Sequence, residues 1–225
     1  MSIPSAIPSA SVIVLHNGIA APEILLVKRN TKISFHGGAW VFPGGKVDPA
    51  DHEQVTRGDE LEAARHAAAR EAGEEAGLLL DGASLRPFSH WTTPETQPKR
   101  FSTWFFIAEV SVHAQVEIDC GEIVDYCWLT VDDALEQHAR DEIALPPPTF
   151  VSLIKLRPFN HAGAIVDYFQ GGGVERFVPR IVEFAQGRCA LYEEDAGYES
   201  LDLAAVGARH RLMMLKSGWE YLREV

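Results

Sequence analysis

Apolar and polar positions along the first third of this chain fall into two periods. Ser11-Val12-Ile13-Val14-Leu15 is a compact apolar run of strand length and predicts a buried strand. Asn17-Gly18 is a turn signal, and residues 24–29 predict the partner strand, with Ile24, Leu26 and Lys28 facing one way and Leu25 and Val27 the other. Over 60–76 the period changes. Leu61, Ala64, Ala68, Ala72 and Ala76 recur at three- and four-residue steps, as on one side of a helix that docks small residues closely onto a sheet. Asp59 with Glu62 three residues on is a capping-box-like start, and Gly77 is the residue a helix stop prefers. Gly73 costs about 1 kcal/mol relative to Ala inside a helix, so close packing is expected there.

Beyond the helix, 84–90 and 100–110 have strand composition, with Trp104, Phe105, Phe106 and Ile107 dense in β-favouring side chains. Thr130-Val131-Asp132-Asp133 caps a short helix running to Arg140. Leu145-Pro146-Pro147-Pro148-Thr149 is a rigid break. One helix is expected from there to about residue 156, another over 160–170, and strands over 174–183, 189–193 and 210–215, the last turning at Lys216-Ser217-Gly218. The pattern is that of an α/β protein with a domain over 10–145 and an α/β extension over 146–225 packed on it, serving substrate coverage or dimerisation.

Charge and cysteine usage narrow the classes. A net charge of −12 over 225 residues gives no broad electrostatic grip on nucleic acid, though a small anion received by metal and a few local cations stays open. Cys120, Cys127 and Cys189 are odd in number and lack metal-ligand spacing, which suits a reducing compartment. Residues 1–10 lack a basic region with a long apolar run, and no apolar stretch is long enough to span a bilayer. The expectation is a soluble cytoplasmic protein with neither nucleic acid nor membrane as partner.

The candidate chemistry sits at the end of the predicted helix. Glu71, Glu74 and Glu75 stand at i, i+3 and i+4, so three carboxylates share one face. Like charges one turn apart repel by roughly 0.2–0.5 kcal/mol per pair, and the partial negative charge of the helix C-terminus adds to the strain. A hard divalent cation such as Mg²⁺ would resolve it, leaving positions for water and substrate phosphate. The alternative for three glutamates alone is a solvated acidic stripe.

Gly45, Glu62 and Arg70-Glu71-Ala72-x-Glu74-Glu75-x-Gly77-Leu78 resemble the signature of the Nudix hydrolases, whose pattern is Gly, five residues, Glu, seven residues, then Arg-Glu-apolar-x-Glu-Glu-x-Gly-apolar. Glu62 follows Gly45 by seventeen positions rather than six, so the loop carries eleven extra residues, within a polar insertion over 46–57. The resemblance implies a Nudix-type α/β/α sandwich with a mixed β-sheet. It implies hydrolysis of a nucleoside diphosphate linked to another moiety, with Mg²⁺ or Mn²⁺ held by Glu71, Glu74, Glu75 and the Gly45 carbonyl. Glu71 or Glu122 would orient or deprotonate water, with Glu117 behind Glu122 as a candidate. Arg70 would restrain the acidic helix, and Glu62 would stand behind the ligands or simply cap. Arg29 and Arg100 would meet substrate phosphates, and Trp40 and Phe42 would be core or a lid over the cleft; His36 is a loop histidine without a catalytic role.

A narrower resemblance is to the coenzyme A diphosphatases of that superfamily, carried by Leu25, Leu26, Arg29, Gly38 and Phe42-Pro43-Gly44-Gly45, and again by Thr93-Pro94 before Arg100-Phe101. Val27, Asn30, Ser34 and Ser102 depart from it, Ser34 replacing an Arg whose charge would have met nucleotide phosphates. It implies coenzyme A or its acyl derivatives as leading substrates. The competing class is a catalytically inactive module of the same fold that senses a nucleotide; an intact acidic triad argues against it, since a sensor has no need of that strain.

Overall fold

Val12, Ile13, Val14 and Leu15 are fully buried, and the strand they centre runs further than the apolar run itself, β1 spanning Ile7–Asn17. The computed structural model describes residues 4–33, 36–53, 55, 58–111 and 114–224; Ser34 lies outside them. Strand β2 (Pro22–Arg29) returns antiparallel, pairing Leu15 with Ile24 and Asn17 with Pro22, across a turn closed by the Gly18 N–H donating to the Ala21 carbonyl at 3.0 Å. Ile24, Leu25, Leu26 and Val27 are each at most 1% exposed, so the apolar residues on both faces of β2 are covered. Among the described residues the strands β3 (Trp40–Val41), β4 (Gly44–Lys46), β5 (Arg86–Thr92), β6 (Phe101–Glu109) and β7 (Ile123–Thr130) build on this pair. Their order is β3-β2-β1-β6-β5, with β4 also on β1 and β7 also on β2.

Helix α1 spans Glu60–Ala76, as its caps predict: Asp59 Oδ1 accepts from the Glu62 N–H at 3.0 Å, and Gly77 ends it at φ 68°. Its small-residue side (Ala64, Ala67, Ala68, Ala72, Ala76) packs in one core with Val12, Val14, Leu25, Val27, Phe106 and Ile123. Short side chains bring the helix backbone close to the sheet, and Glu71 and Glu75 are carried against β4 with it. Close packing at Gly73 is not found. A Cβ there would meet only the Leu78 carbonyl, at 3.8 Å, because residue 73 faces away from the Ala64–Ala72 side.

Three further differences have local causes. Strand β7 carries no clear apolar period because Val124 and Tyr126 are exposed, and its sequence reads as an acidic loop. The strand expected over 174–183 is two, β8 (Glu175–Phe177) and β9 (Arg180–Phe184), interrupted at Val178-Pro179, where proline has no N–H for a ladder. The strand expected from 84 begins at Arg86, after a 3₁₀ turn over Gly82–Ser84 that Asp81 caps. Helices α2 (Val131–Ala139), α3 (Pro147–Leu156) and α4 (Ala162–Phe169) follow, with Thr130 capping α2 through the Asp133 N–H and Pro147 opening α3.

The described residues group into two compact units. One comprises Pro8–His90 with Thr103–Glu175; the other comprises those of Met1–Ile7, Trp91–Ser102 and Arg176–Val225. The second unit contains a four-stranded antiparallel sheet in the order β12-β11-β10-β9, with β10 at Gly187–Leu191, β11 at Arg209–Leu215 and β12 at Gly218–Glu224. Trp91 stacks on Phe177 in that unit, with centroids 4.0 Å apart, and Tyr192 and His210 pack edgewise around the pair. Among the described residues no helix is long and apolar enough to cross a membrane.

Candidate functional site

Arg70 is the hub of the acidic helix face. Its Nη1 donates to Glu71 Oε1 at 2.9 Å and to Glu74 Oε2 at 3.0 Å, one turn on. Its Nη2 donates to the Lys46 carbonyl at 2.9 Å, and its Nε and Nη2 fork onto Asp51 at 3.2 and 3.0 Å. Asp48 Oδ2 lies 3.9 Å away, so one guanidinium serves four carboxylates. The insertion is thereby more than a polar surface loop: its Pro49–His52 turn, begun by Asp48 and Pro49, buries Asp51 against Arg70. The sequence reading missed Asp51. The signal lay in Asp48-Pro49-Ala50-Asp51, an acid at the cap, proline at the first position and an acid at the third, which is the pattern of a turn start.

Glu75 points the other way, into the protein. It is 5% exposed, and its Oε2 accepts from the Gly44 N–H at 2.8 Å. Burial pushes its carboxyl up to about 8; the Gly44 hydrogen bond and the Arg29 charge oppose this, while the charges of Glu71 and Glu122 add to it. Glu71 is raised as well, chiefly by burial, with Arg70 pulling down and Glu74 and Glu122 pushing up. Strand β4 places the diglycine directly against these groups. A Cβ on Gly44 would lie 2.4 Å from the Ala10 carbonyl, so only glycine fits there, and one on Gly45 would lie 2.3 Å from Glu71 Oε1 and push that carboxylate aside. Glu74 remains exposed on the outer side of Arg70.

Glu122 is brought to the same region from far along the chain. The Asp119 carboxylate accepts the N–H groups of Glu122 and Ile123 at 2.8 and 2.9 Å, the Asn30 N–H donates to the Glu122 carbonyl at 2.7 Å, and Cys120 takes a positive φ of 58°. The loop is thus built to hold residue 122 at the start of β7. Its carboxylate stands 3.7 Å from Arg29 Nη2 and is two-thirds exposed. Arg29 Nε is buried with no hydrogen-bond partner among the described residues. A cation with an orphaned donor beside two raised carboxyls is suited to an anion arriving from solvent.

The remaining candidates are placed as follows. Glu62 accepts from Arg65 Nε at 3.0 Å and gives its N–H to the Asp59 cap, one turn or more from the Arg70 cluster. Trp40 is 9% exposed, with Lys28 Nζ 5.7 Å from its ring, and Phe42 is 2% exposed with its ring edge-on to Phe105. Their backbone lies alongside the diglycine, Ser11 Oγ donating to the Pro43 carbonyl at 2.9 Å. Arg100 belongs to the other unit, where it is 8% exposed and donates to the carbonyls of Thr93 and Pro4 at 3.1 and 2.9 Å. Glu117 gives its N–H to the Ala76 carbonyl at the end of α1.

The cluster supplies oxygen donors only, with carboxyls in excess of the cations that face them. Hard donors, raised carboxyl pKa values and a backbone without Cβ against Glu71 fit a hard divalent cation and fit a soft metal poorly.

A family model described as the NUDIX domain matches residues 6–148. Putative nudix hydrolase 7 of Caenorhabditis elegans is 27% identical over 169 residues, which is 60% of this chain and 55% of that protein. The human protein named acyl-coenzyme A diphosphatase NUDT19 is 32% identical over 120 residues, 51% of this chain and 32% of that protein. This chain thus spans about half or less of the length of these curated relatives. Among solved structures, a NUDIX hydrolase from Alicyclobacillus acidocaldarius superposes with a TM-score of 0.67 at 23% identity, over 76% of this chain and all of that one, a likeness of fold.

Proposed function

Starting from the fact that this chain belongs to the NUDIX domain family, we propose that it is a divalent-metal-dependent diphosphohydrolase acting on a nucleoside diphosphate linked to another moiety. The observation that carries the reading is Glu75, a carboxyl only 5% exposed that accepts from the Gly44 N–H, with the Glu71 carboxylate against the neighbouring Gly45. Such crowding is costly in the protein alone and is relieved by a cation among the oxygens.

Glu71, Glu74, Glu75 and the Gly45 carbonyl are the proposed ligands of Mg²⁺ or Mn²⁺. When bound, the cation supplies positive charge against the diphosphate and acidifies water within its reach. Arg70 keeps Glu71 and Glu74 turned the same way through its two Nη1 hydrogen bonds. Glu71 and Glu122 are the candidates to orient the attacking water and accept its proton, Glu122 being held by the Asp119 loop and still open to solvent. Arg29 would turn its unused Nε and its loosely held Nη2 to a substrate phosphate. Trp40 and Phe42 would act as the packed wall that steadies the diglycine. Phosphoryl transfer asks mainly for charge neutralisation and in-line placement, which these groups supply.

Coenzyme A or its acyl derivatives lead as substrates, supported by the partial motif over 25–45 and by the name of the human relative. A cytoplasmic setting, a homodimer, and the division into a hydrolase domain over 10–145 with an extension over 146–225 belong to the same proposal.

The test is a panel of nucleoside diphosphate derivatives, coenzyme A included, with Mg²⁺ and with Mn²⁺, products identified by mass. The expected result is two phosphate-bearing products formed only with metal. Tight binding across the panel with no product would overturn the enzyme in favour of the nucleotide-sensing module.

A further inference from the structure

An arginine side chain carries five N–H donors in one plane, and every one of Arg70's has an acceptor. Nη1 serves Glu71 and Glu74, Nη2 serves the Lys46 carbonyl and Asp51 Oδ2, and Nε serves Asp51 Oδ1. Three of the five therefore end on a segment that lies outside the helix, within the stretch lengthened by the eleven extra residues, and two of those three end on Asp51. Asp51 is itself fixed: its side chain is 5% exposed, its Oδ2 also accepts from the Asp48 N–H at 2.8 Å, and Pro49 stiffens the turn. A buried anion at that end of the fork sets the rotation of the guanidinium plane, and with it which oxygens of Glu71 and Glu74 are engaged. It also takes part of Arg70's charge, which otherwise would bear wholly on those two carboxylates and compete with a cation for them.

From this we infer that Asp51 is a positioning residue for the acidic helix, acting through Arg70 and tuning the affinity of Glu71 and Glu74 for a divalent cation. The inference rests on the proposed reading of those glutamates as ligands.

Mn²⁺ titration of the full chain, followed by the electron paramagnetic resonance of the free ion, tests it. Asp51→Asn preserves size and removes the charge; its Mn²⁺ dissociation constant is expected to rise by about 10–100-fold, the range for residues that orient metal ligands. The metal concentration needed for half-maximal turnover should shift by the same factor, with kcat recovered at saturating metal. Because the path runs through Arg70, the double variant Asp51→Asn/Arg70→Lys should bind no more weakly than Arg70→Lys alone. A folded Asp51→Asn with wild-type affinity, a lowered Tm with unchanged affinity, or additive losses in the double variant would each overturn the inference. Should Asp51→Asn not fold, Asp51→Glu, with its charge on a longer arm, is expected to weaken Mn²⁺ by a smaller factor, and unchanged affinity there overturns the inference equally. A wild-type chain that binds no Mn²⁺ sinks the ligand reading itself, and so is told apart from a failure of Asp51 alone.

Discussion

Each unit of this molecule is built around an arginine gripped by carboxylate, and the two grips are opposite in character. In the second unit Arg211 and Asp195 are both nearly inaccessible, joined at 2.6 and 2.7 Å, and balanced one to one. Asp195 also accepts the N–H groups of Gly197 and His210, at 2.8 and 2.9 Å, and Arg211 Nη1 reaches the Leu203 carbonyl. Burial works to raise the Asp195 carboxyl, but the hydrogen bonds from Arg211 and the backbone outweigh it and hold it below the ordinary range. In the first unit Arg70 is shared among Asp48, Asp51, Glu71 and Glu74, with Glu75 and Glu122 beyond its reach, and there Glu71 and Glu75 are raised. The Arg211–Asp195 pair is balanced within the protein. The Arg70 cluster sets four carboxylates on one guanidinium and is short of positive charge. The lesson is that a buried carboxylate serves structure where its partners match it, and marks a site where they do not.

The sharpest way to break this contrast is to remove the balanced partner. Asp195→Ala leaves Arg211 buried and unpaired, and a loss of about 3–5 kcal/mol in urea-induced unfolding is expected. A loss of only a few tenths would show the pair to be incidental. Glu75→Gln should do the reverse. Metal-dependent turnover is expected to fall on the order of 100-fold or more, with the Tm in EDTA at neutral pH raised rather than lowered and the further rise in Tm on adding Mn²⁺ abolished. Glu74→Gln should also lower turnover sharply; full activity in both variants would end the assignment.

The pH dependence of stability, measured by thermal unfolding in EDTA, separates the two grips by sign. The folded Asp195 carboxyl lies below its unfolded value, so its contribution is whole above the ordinary aspartate pKa of about 3.9 and is lost as pH falls through the lower, folded value. Glu75 lies above its unfolded value, so its contribution is whole below 4.5 and is lost as pH rises to and through about 8. Asp195→Asn should flatten the acid limb only, and Glu75→Gln the neutral limb only. Each variant altering the other's limb would dissolve the distinction.

The smallest effect concerns the helix that carries the glutamates. A Cβ at residue 73 meets nothing closer than 3.8 Å, so Gly73→Ala should stabilise by about 0.4–1 kcal/mol, read as a rise in Tm. Destabilisation would mean that the glycine is needed for a movement of the acidic turn.

Helix α1 was legible in the sequence to the residue because everything that defines it is local. An Asp cap, a run of good helix formers, small residues at three- and four-residue steps and a glycine stop all act within one turn of themselves. The same locality placed Glu71, Glu74 and Glu75 in the last turns of the helix and the diglycine before them, but the one shared face expected of the three is not found: Glu71 and Glu74 turn to Arg70 and Glu75 turns inward to Gly44. Strand β7 was not legible, since its exposed Val124 and Tyr126 erase the period that a buried face would show. Which carboxylates would be buried, and which arginine would meet which acid, was decided only by the tertiary structure. Asp51 to Arg70 spans nineteen residues and Arg29 to Glu122 spans ninety-three, and no periodicity reports on pairs so far apart. Their geometry follows from how strand β4, the Pro49–His52 turn and the Asp119 loop close around one helix end, where low dielectric turns acidic residues of one sequence pattern into groups with different charges to carry.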